Sequence, residues 1–211
     1  MWNPTARQRR SAEILFGIIV VVILDLFAGL QIEYGTVFSP DVSQTLDIAE
    51  IVGAIGFLAI LTAAVIAGLQ HKDRATLQIF VVFLVFATVH LVANIAALVL
   101  TAHVRDESYL WGLWDVGSAY LMVVAVFTGW YWVADTLIPN GAFDFPVPER
   151  KPAPTPNLID YVFIAFNTNA TFGPTVETVT SRRVKVLMML QTTCSLVVLV
   201  VLVARMVSLK S

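Results

Sequence analysis

The chain is predicted to be an all-α membrane protein: five transmembrane helices, with a short re-entrant or interfacial helix before the last. Three observations predict this. Of 211 residues, 58% are hydrophobic and only 13% charged, against about 25% charged in ordinary soluble domains. Five apolar stretches approach or exceed the ~20 residues that a helix needs to cross a bilayer core. Ten of the thirteen Lys and Arg residues fall on one side of a five-span topology, as the positive-inside rule requires.

The spans are read at Ile14–Ile32, Ile51–Leu69, Leu77–Leu100, Leu110–Val133 and Val186–Val207. "RQRR" before the first has the charge of a signal peptide, but the apolar run is long and no A-x-A-like site follows, so an uncleaved helix is expected. Arg7, Arg9, Arg10, Lys72, Arg74, Arg150, Lys151, Arg182, Arg183 and Lys185 lie on one side. Arg105, Arg205 and Lys210 lie toward the other. A cytoplasmic-membrane protein with its amino terminus cytoplasmic and its carboxyl terminus external is expected.

Small residues in the second span, among them Gly53, Gly56, Ala64 and Gly68, predict close packing inside the bundle. The fourth span has Tyr109, Trp111 and Trp114 at one end and Trp130, Tyr131 and Trp132 at the other. Trp114 and Trp132 are about 27 Å apart along a helix axis, which predicts two interfacial aromatic belts. "PNGAFDFPVPERKPAPTPN" (Pro139–Asn157) holds six prolines and reads as an extended cytoplasmic linker. The chain thus divides into a membrane region (1–138), the linker (139–157) and a hairpin with the final helix (158–211).

A formal net charge of −2 gives no footprint for nucleic acid. The lone cysteine, Cys194, excludes an intrachain disulfide and a cysteine-cluster metal site. No phosphate-binding glycine loop, H-E-x-x-H, G-x-S-x-G or pair of histidines at ligand spacing is found. No enzyme activity, cofactor or metal is therefore expected. The partners expected are the lipid bilayer, monovalent cations and further copies of the chain.

The stretch "LIDYVFIAFNTNATFGPT" (Leu158–Thr175) bears most on function. Its apolar part is too short to span, and Gly173 and Pro174 stop a helix. One solution is a half-membrane helix returning through an irregular turn, which is tolerated only against protein or water. The other is an amphipathic helix lying at the interface.

"DYVFIAFNTNATFGPT" followed by "SRRVKVLMMLQTTCSLVVLVVLVARMV" resembles the carboxyl-terminal half of an uncharacterised family of bacterial multi-pass membrane proteins. The resemblance rests on Asp160–Tyr161, the Thr171/Phe172/Pro174/Thr175 turn, Arg182–Arg183 and the "LMMLQ" helix, with "DFP" (Asp144–Pro146) also fitting. The same region is similar to the pore domain of two-helix potassium channels. There Thr171, Phe172 and Gly173 take the Thr-Val-Gly places of the filter, and Pro174 and Thr175 stand where it has Tyr-Gly. That departure does not carry potassium selectivity over, because the filter needs stacked carbonyls. The basic residues also place the loop inside, as in ionotropic glutamate receptors.

What the resemblance implies is a pore-loop-like set of Thr168, Asn169, Thr171, Phe172, Gly173, Pro174 and Thr175. A half-helix aiming its carboxyl end at mid-membrane favours a cation. Gln191 and Ser195, one turn apart, either face the path or bond between helices.

Other polar residues lie within the spans. Asp25 and His90 form either a proton- or cation-responsive pair or a structural contact, with Asn94 on the face of His90. Glu50 and Asp115 read as partners of Arg205 or as an acidic vestibule. The function expected is a pore-loop-type cation channel or channel-like protein of low selectivity, homo-oligomeric and tetrameric by the channel analogy. The alternatives are a non-conducting partner subunit and a small proton-coupled transporter.

Overall fold

The structure is a computed structural model that describes residues 14–25, 40–70, 73–100, 109–146, 156–171 and 177–208. The described elements are α1 (Ile14–Asp25), α2 (Pro40–Leu69), α3 (Asp73–Leu100), α4 (Tyr109–Leu137), β1 (Phe143–Asp144), α5 (Leu158–Thr171), β2 (Thr178–Val179) and α6 (Arg182–Ser208). Helices dominate because a helix satisfies every internal backbone group within its own segment, which an apolar solvent demands.

Four segments are long and apolar enough to cross a bilayer: Ile51–Leu69, Arg74–Leu100, Val116–Leu137 and Arg182–Val207. These are compatible with an integral membrane protein. The expected first span is described only over Ile14–Asp25, too short to cross by itself; its remainder lies outside the described residues. Among the described residues, four helices are thus candidate spans.

Two compact units are formed, one from Met1–Met122 with Val198–Ser211 and one from Val123–Val197. Their boundaries fall within α4 and α6.

In the first unit, α2 and α3 approach closely. A Cβ on Gly53 would fall 2.2 Å from His90 Cε1, and one on Gly56 would fall 2.8 Å from Phe86 Cζ. Phe57 fills the space between, its ring centroid 5.7 Å from Phe83, 4.8 Å from Phe86 and 4.9 Å from His90. Gly68, by contrast, faces nothing within 4 Å. The expectation that α2 packs inside is corrected. Of its apolar window only 22% is buried, against 67% for the window in α4. The glycines admit one neighbour on one face, while Ile51, Val52, Ile55 and Leu58 on the others stay exposed.

In the second unit, the chain leaves α4 through a tight turn. The Gly141 N–H donates to the Ile138 carbonyl at 3.0 Å, with Pro139 and Asn140 at its centre. Asn140 has φ 67°, the positive value that the third position of a type II turn requires. Gly141 follows at φ 79°, where a side chain would also press on Asp135 Oδ1. β1 then pairs antiparallel with β2, Phe143 opposite Val179 and Asp144 opposite Thr178. The first part of the expected extended linker is therefore folded; residues 147–155 lie outside the described residues.

Phe143 and Phe145 pack on Tyr161, at 6.2 and 5.9 Å, and Phe143 also meets Tyr131 at 5.6 Å. This changes the aromatic reading of α4. Trp114 is 65% exposed, as an interfacial residue can be, but Tyr131 is fully buried and Trp132 only 8% exposed. These two serve the core, because the returning "AFDF" segment supplies rings for Tyr131.

Candidate functional site

Local chemistry fixes where α5 begins. Asn157 Oδ1 accepts the Ile159 N–H at 2.8 Å, and Asp160 Oδ2 accepts the Asn157 N–H at 2.7 Å. This reciprocal pair is a capping box. From there Tyr161, Ile164, Ala165, Thr168 and Asn169 form a buried stripe at helical spacing. Ile159, Val162, Phe163, Phe166 and Ala170 lie on the exposed side. The helix therefore continues through the whole polar "NTNAT" run to Thr171. The Thr168 hydroxyl donates back to the Ile164 carbonyl at 2.8 Å, and Asn169 falls on the face that finds polar partners.

Those partners come chiefly from α6. Gln191 Nε2 donates to the Ala165 carbonyl at 2.7 Å and to Asn169 Oδ1 at 2.5 Å. Gln191 Oε1 accepts the Tyr131 hydroxyl from α4. Ser195 Oγ lies 2.6 Å from Asn169 Oδ1 and 2.9 Å from the Gln191 carbonyl, so its one proton is shared between two acceptors. Gln191 and Thr168 are fully buried, and Asn169 and Ser195 nearly so. Both N–H bonds and the oxygen of the Gln191 amide are used, which removes the penalty of burying it.

Asp135 anchors the other end of α5. Its Oδ2 accepts the Tyr161 hydroxyl at 2.6 Å, while Oδ1 accepts the backbone N–H groups of Ala142 and Phe143 at 2.5 and 3.2 Å. These contacts also set direction. Along α5, Tyr161 meets Asp135 of α4, Ala165 meets Gln191, and Asn169 meets Gln191 and Ser195. Contacts advance in the same sense along α5 and α6, and the carboxyl half of α5 lies beside residues 191–195 rather than beside the start of α6. Only seven positions separate Thr171 from Thr178, a reach of at most about 25 Å.

Of the pore-loop-like set, the structure places Thr168 and Asn169 in this buried network. The Thr171 side chain and Phe172, Gly173, Pro174 and Thr175 lie outside the described residues. Gln191 and Ser195 bond between helices. Tyr131, Asp135 and Tyr161 are site residues that sequence reasoning passed over or read otherwise. The capping signature Asn157-x-x-Asp160 was the legible sign of where α5 starts.

The first unit holds a separate polar cluster. His90 Nδ1 is 3.6 Å from Asp25 Oδ1, and Asn94 Nδ2 donates to the same oxygen at 3.3 Å. Asn94 Nδ2 is also 3.7 Å from Met122 Sδ. α1, α3 and α4 are thus joined at one point. Arg205 is half-buried in the last turn of α6, while the side chains of Glu50 and Asp115 lie outside the described residues. Among the described residues, no three His, Cys, Asp or Glu side chains gather as metal ligands. No family model, curated protein or solved structure compared with the chain matches it.

Proposed function

We propose that the protein is a pore-loop-type membrane protein conducting monovalent cations with low selectivity, in which α5 is a re-entrant helix. The observation that carries the reading is the shared direction of α5 and α6. Asn169 sits level with Gln191 and Ser195, about 14–20 Å along α6 from Arg182. If α6 crosses the bilayer, the carboxyl end of α5 then lies within the hydrocarbon core. β2, paired with β1 beside the end of α4, supports a return to the entry side.

The chemistry follows from that placement. A helix carboxyl end presents carbonyls with no intrahelical partner and a negative partial charge. At mid-membrane such an end attracts a cation, and neutral Thr and backbone oxygens discriminate weakly among cations. The conduction segment is Thr171–Thr175, while Thr168, Asn169, Gln191 and Ser195 hold α5 in place. One short hairpin cannot enclose a pore, so copies of the chain assemble, as four do in potassium channels. The basic residues flanking α5 and α6 support entry from the cytoplasmic side, with the carboxyl terminus external.

One observation favours a second reading, a non-conducting subunit of a membrane complex. The buried Gln191 amide uses its oxygen and both N–H bonds, as a packed structural joint does. Cation flux into liposomes separates the two, with purified wild type beside Gly173→Val. Flux through wild type that is lost in a folded Gly173→Val protein supports conduction. Absence of flux under potassium and sodium gradients, from protein shown to be folded, favours the structural joint.

A further inference from the structure

The pore reading leaves the Asp25–His90 cluster without a role, and its surroundings give it one. Asp25 is 9% exposed, and among the described residues the polar groups beside it are Asn94 and His90. Asn94 supplies one N–H to Oδ1 at 3.3 Å, and His90 Nδ1 stands 3.6 Å from the same oxygen. Among the described residues, the rings that meet His90 are apolar. Phe57 of α2 and Phe86 of its own helix lie 4.9 and 4.7 Å away, ring to ring. Gly53 is the gap in α2 that admits the imidazole. Among the described residues, Asp25 is thus the charged group set against His90, from α1; α2 contributes Gly53 and Phe57, and α3 and α4 contribute Phe86, Asn94 and Met122, all neutral.

Burying a carboxylate is costly, and an ionisable group at membrane depth needs a partner. A proton on His90 supplies one, giving an imidazolium–carboxylate pair across α1 and α3. Loss of that proton to water leaves Asp25, among the described residues, with the Asn94 amide as its donor. We propose that Asp25 and His90 form a proton-binding site within the helices, and that the bound proton clamps α1 onto α3. The clamp does not depend on α5 forming a pore.

The sign of its pH dependence is fixed by Asp25. In the wild type, protonation creates an attractive pair, so acidification tightens the clamp and raising the pH loosens it. In Asp25→Asn, the same proton is an uncompensated charge against Phe57 and Phe86, so acidification destabilises. The test is thermal unfolding of the full chain in lipid nanodiscs between pH 5 and 8. The expected wild-type melting temperature falls by about 2–4 °C or more as pH rises, and Asp25→Asn reverses the direction. The other two histidines, His71 and His103, are controlled by a His71→Gln/His103→Gln variant, which keeps the wild-type slope. A wild-type slope that survives in Asp25→Asn, or in His90→Gln, overturns the proposal. Should His90→Gln fail to fold, the Asp25→Asn comparison decides alone, and flux measurements have no bearing on it.

Discussion

Gln191 of α6 donates from Nε2 to Asn169 Oδ1 of α5 at 2.5 Å, with both side chains buried. A second bond from the same nitrogen to the Ala165 carbonyl fixes α5 one turn earlier. A single amide thus sets both the axial position and the rotation of α5 against α6, while its oxygen holds Tyr131.

Gln191→Leu keeps the volume roughly but removes the acceptor of the Tyr131 hydroxyl and one of the donors to Asn169 Oδ1, which keeps Ser195. Leaving a buried polar group unsatisfied costs about 1–3 kcal/mol, so a lower melting temperature is expected. In a double-mutant cycle with Asn169→Leu, the coupling should be about 0.6–1.7 kcal/mol, the range for hydrogen bonds between membrane helices. Strict additivity would mean that the bond contributes nothing.

Asp135 accepts from Tyr161, Ala142 and Phe143, so its loss should exceed that of any one donor. Tyr161→Phe removes one bond and is expected to cost about 1 kcal/mol. Asp135→Ala strands three donors and should cost at least twice that. Comparable melting temperatures for the two variants would remove Asp135 from its anchoring role.

Gly53 and Gly68 share α2 but not surroundings. Gly53→Ala drives a methyl into the His90 ring, and overpacking of this kind costs about 1–3 kcal/mol. Gly68→Ala meets nothing and should be neutral or slightly stabilising, since Ala exceeds Gly in helix propensity. Equal effects in thermal unfolding would contradict the close approach of α2 and α3.

Asn157 caps α5 through the Ile159 N–H. Asn157→Ala should cost about 1 kcal/mol and speed amide hydrogen exchange at Ile159 and Asp160. Exchange beyond the first turn should change little, because Tyr161 is held independently by Asp135.

Parts of this organisation were legible in the sequence. The four helices long and apolar enough to cross a bilayer are among the five spans read from apolar length, and Leu158 is marked as a helix start by the Asn157–Asp160 pair. His90 and Asn94 share a face by their spacing of four, and Gln191 and Ser195 do so for the same reason. Tertiary choices were less accessible. Tyr131 and Trp132 look like an interfacial belt until Phe143 folds back to meet Tyr131, a contact set by the Pro139–Asn140 turn and Asp135. The glycines of α2 announce close approach but not the number of neighbours. The sequence puts the helix stop at Gly173 and Pro174 but does not show that the polar "NTNAT" run belongs to α5, where Asn169 finds Gln191 and Ser195.

The central claim, that α5 inserts alongside α6 instead of lying at the membrane surface, is tested most directly by spin–spin distances in bilayers. In a Cys194→Ala background, labels at the exposed position Ala170 are paired with Arg183 or with Leu196, both exposed on α6, and diluted with unlabelled protein. Insertion predicts that Ala170 lies closer to Leu196 than to Arg183, whose positions on α6 differ by about 20 Å along the axis. A shorter distance to Arg183 would place α5 at the interface and contradict the re-entrant account.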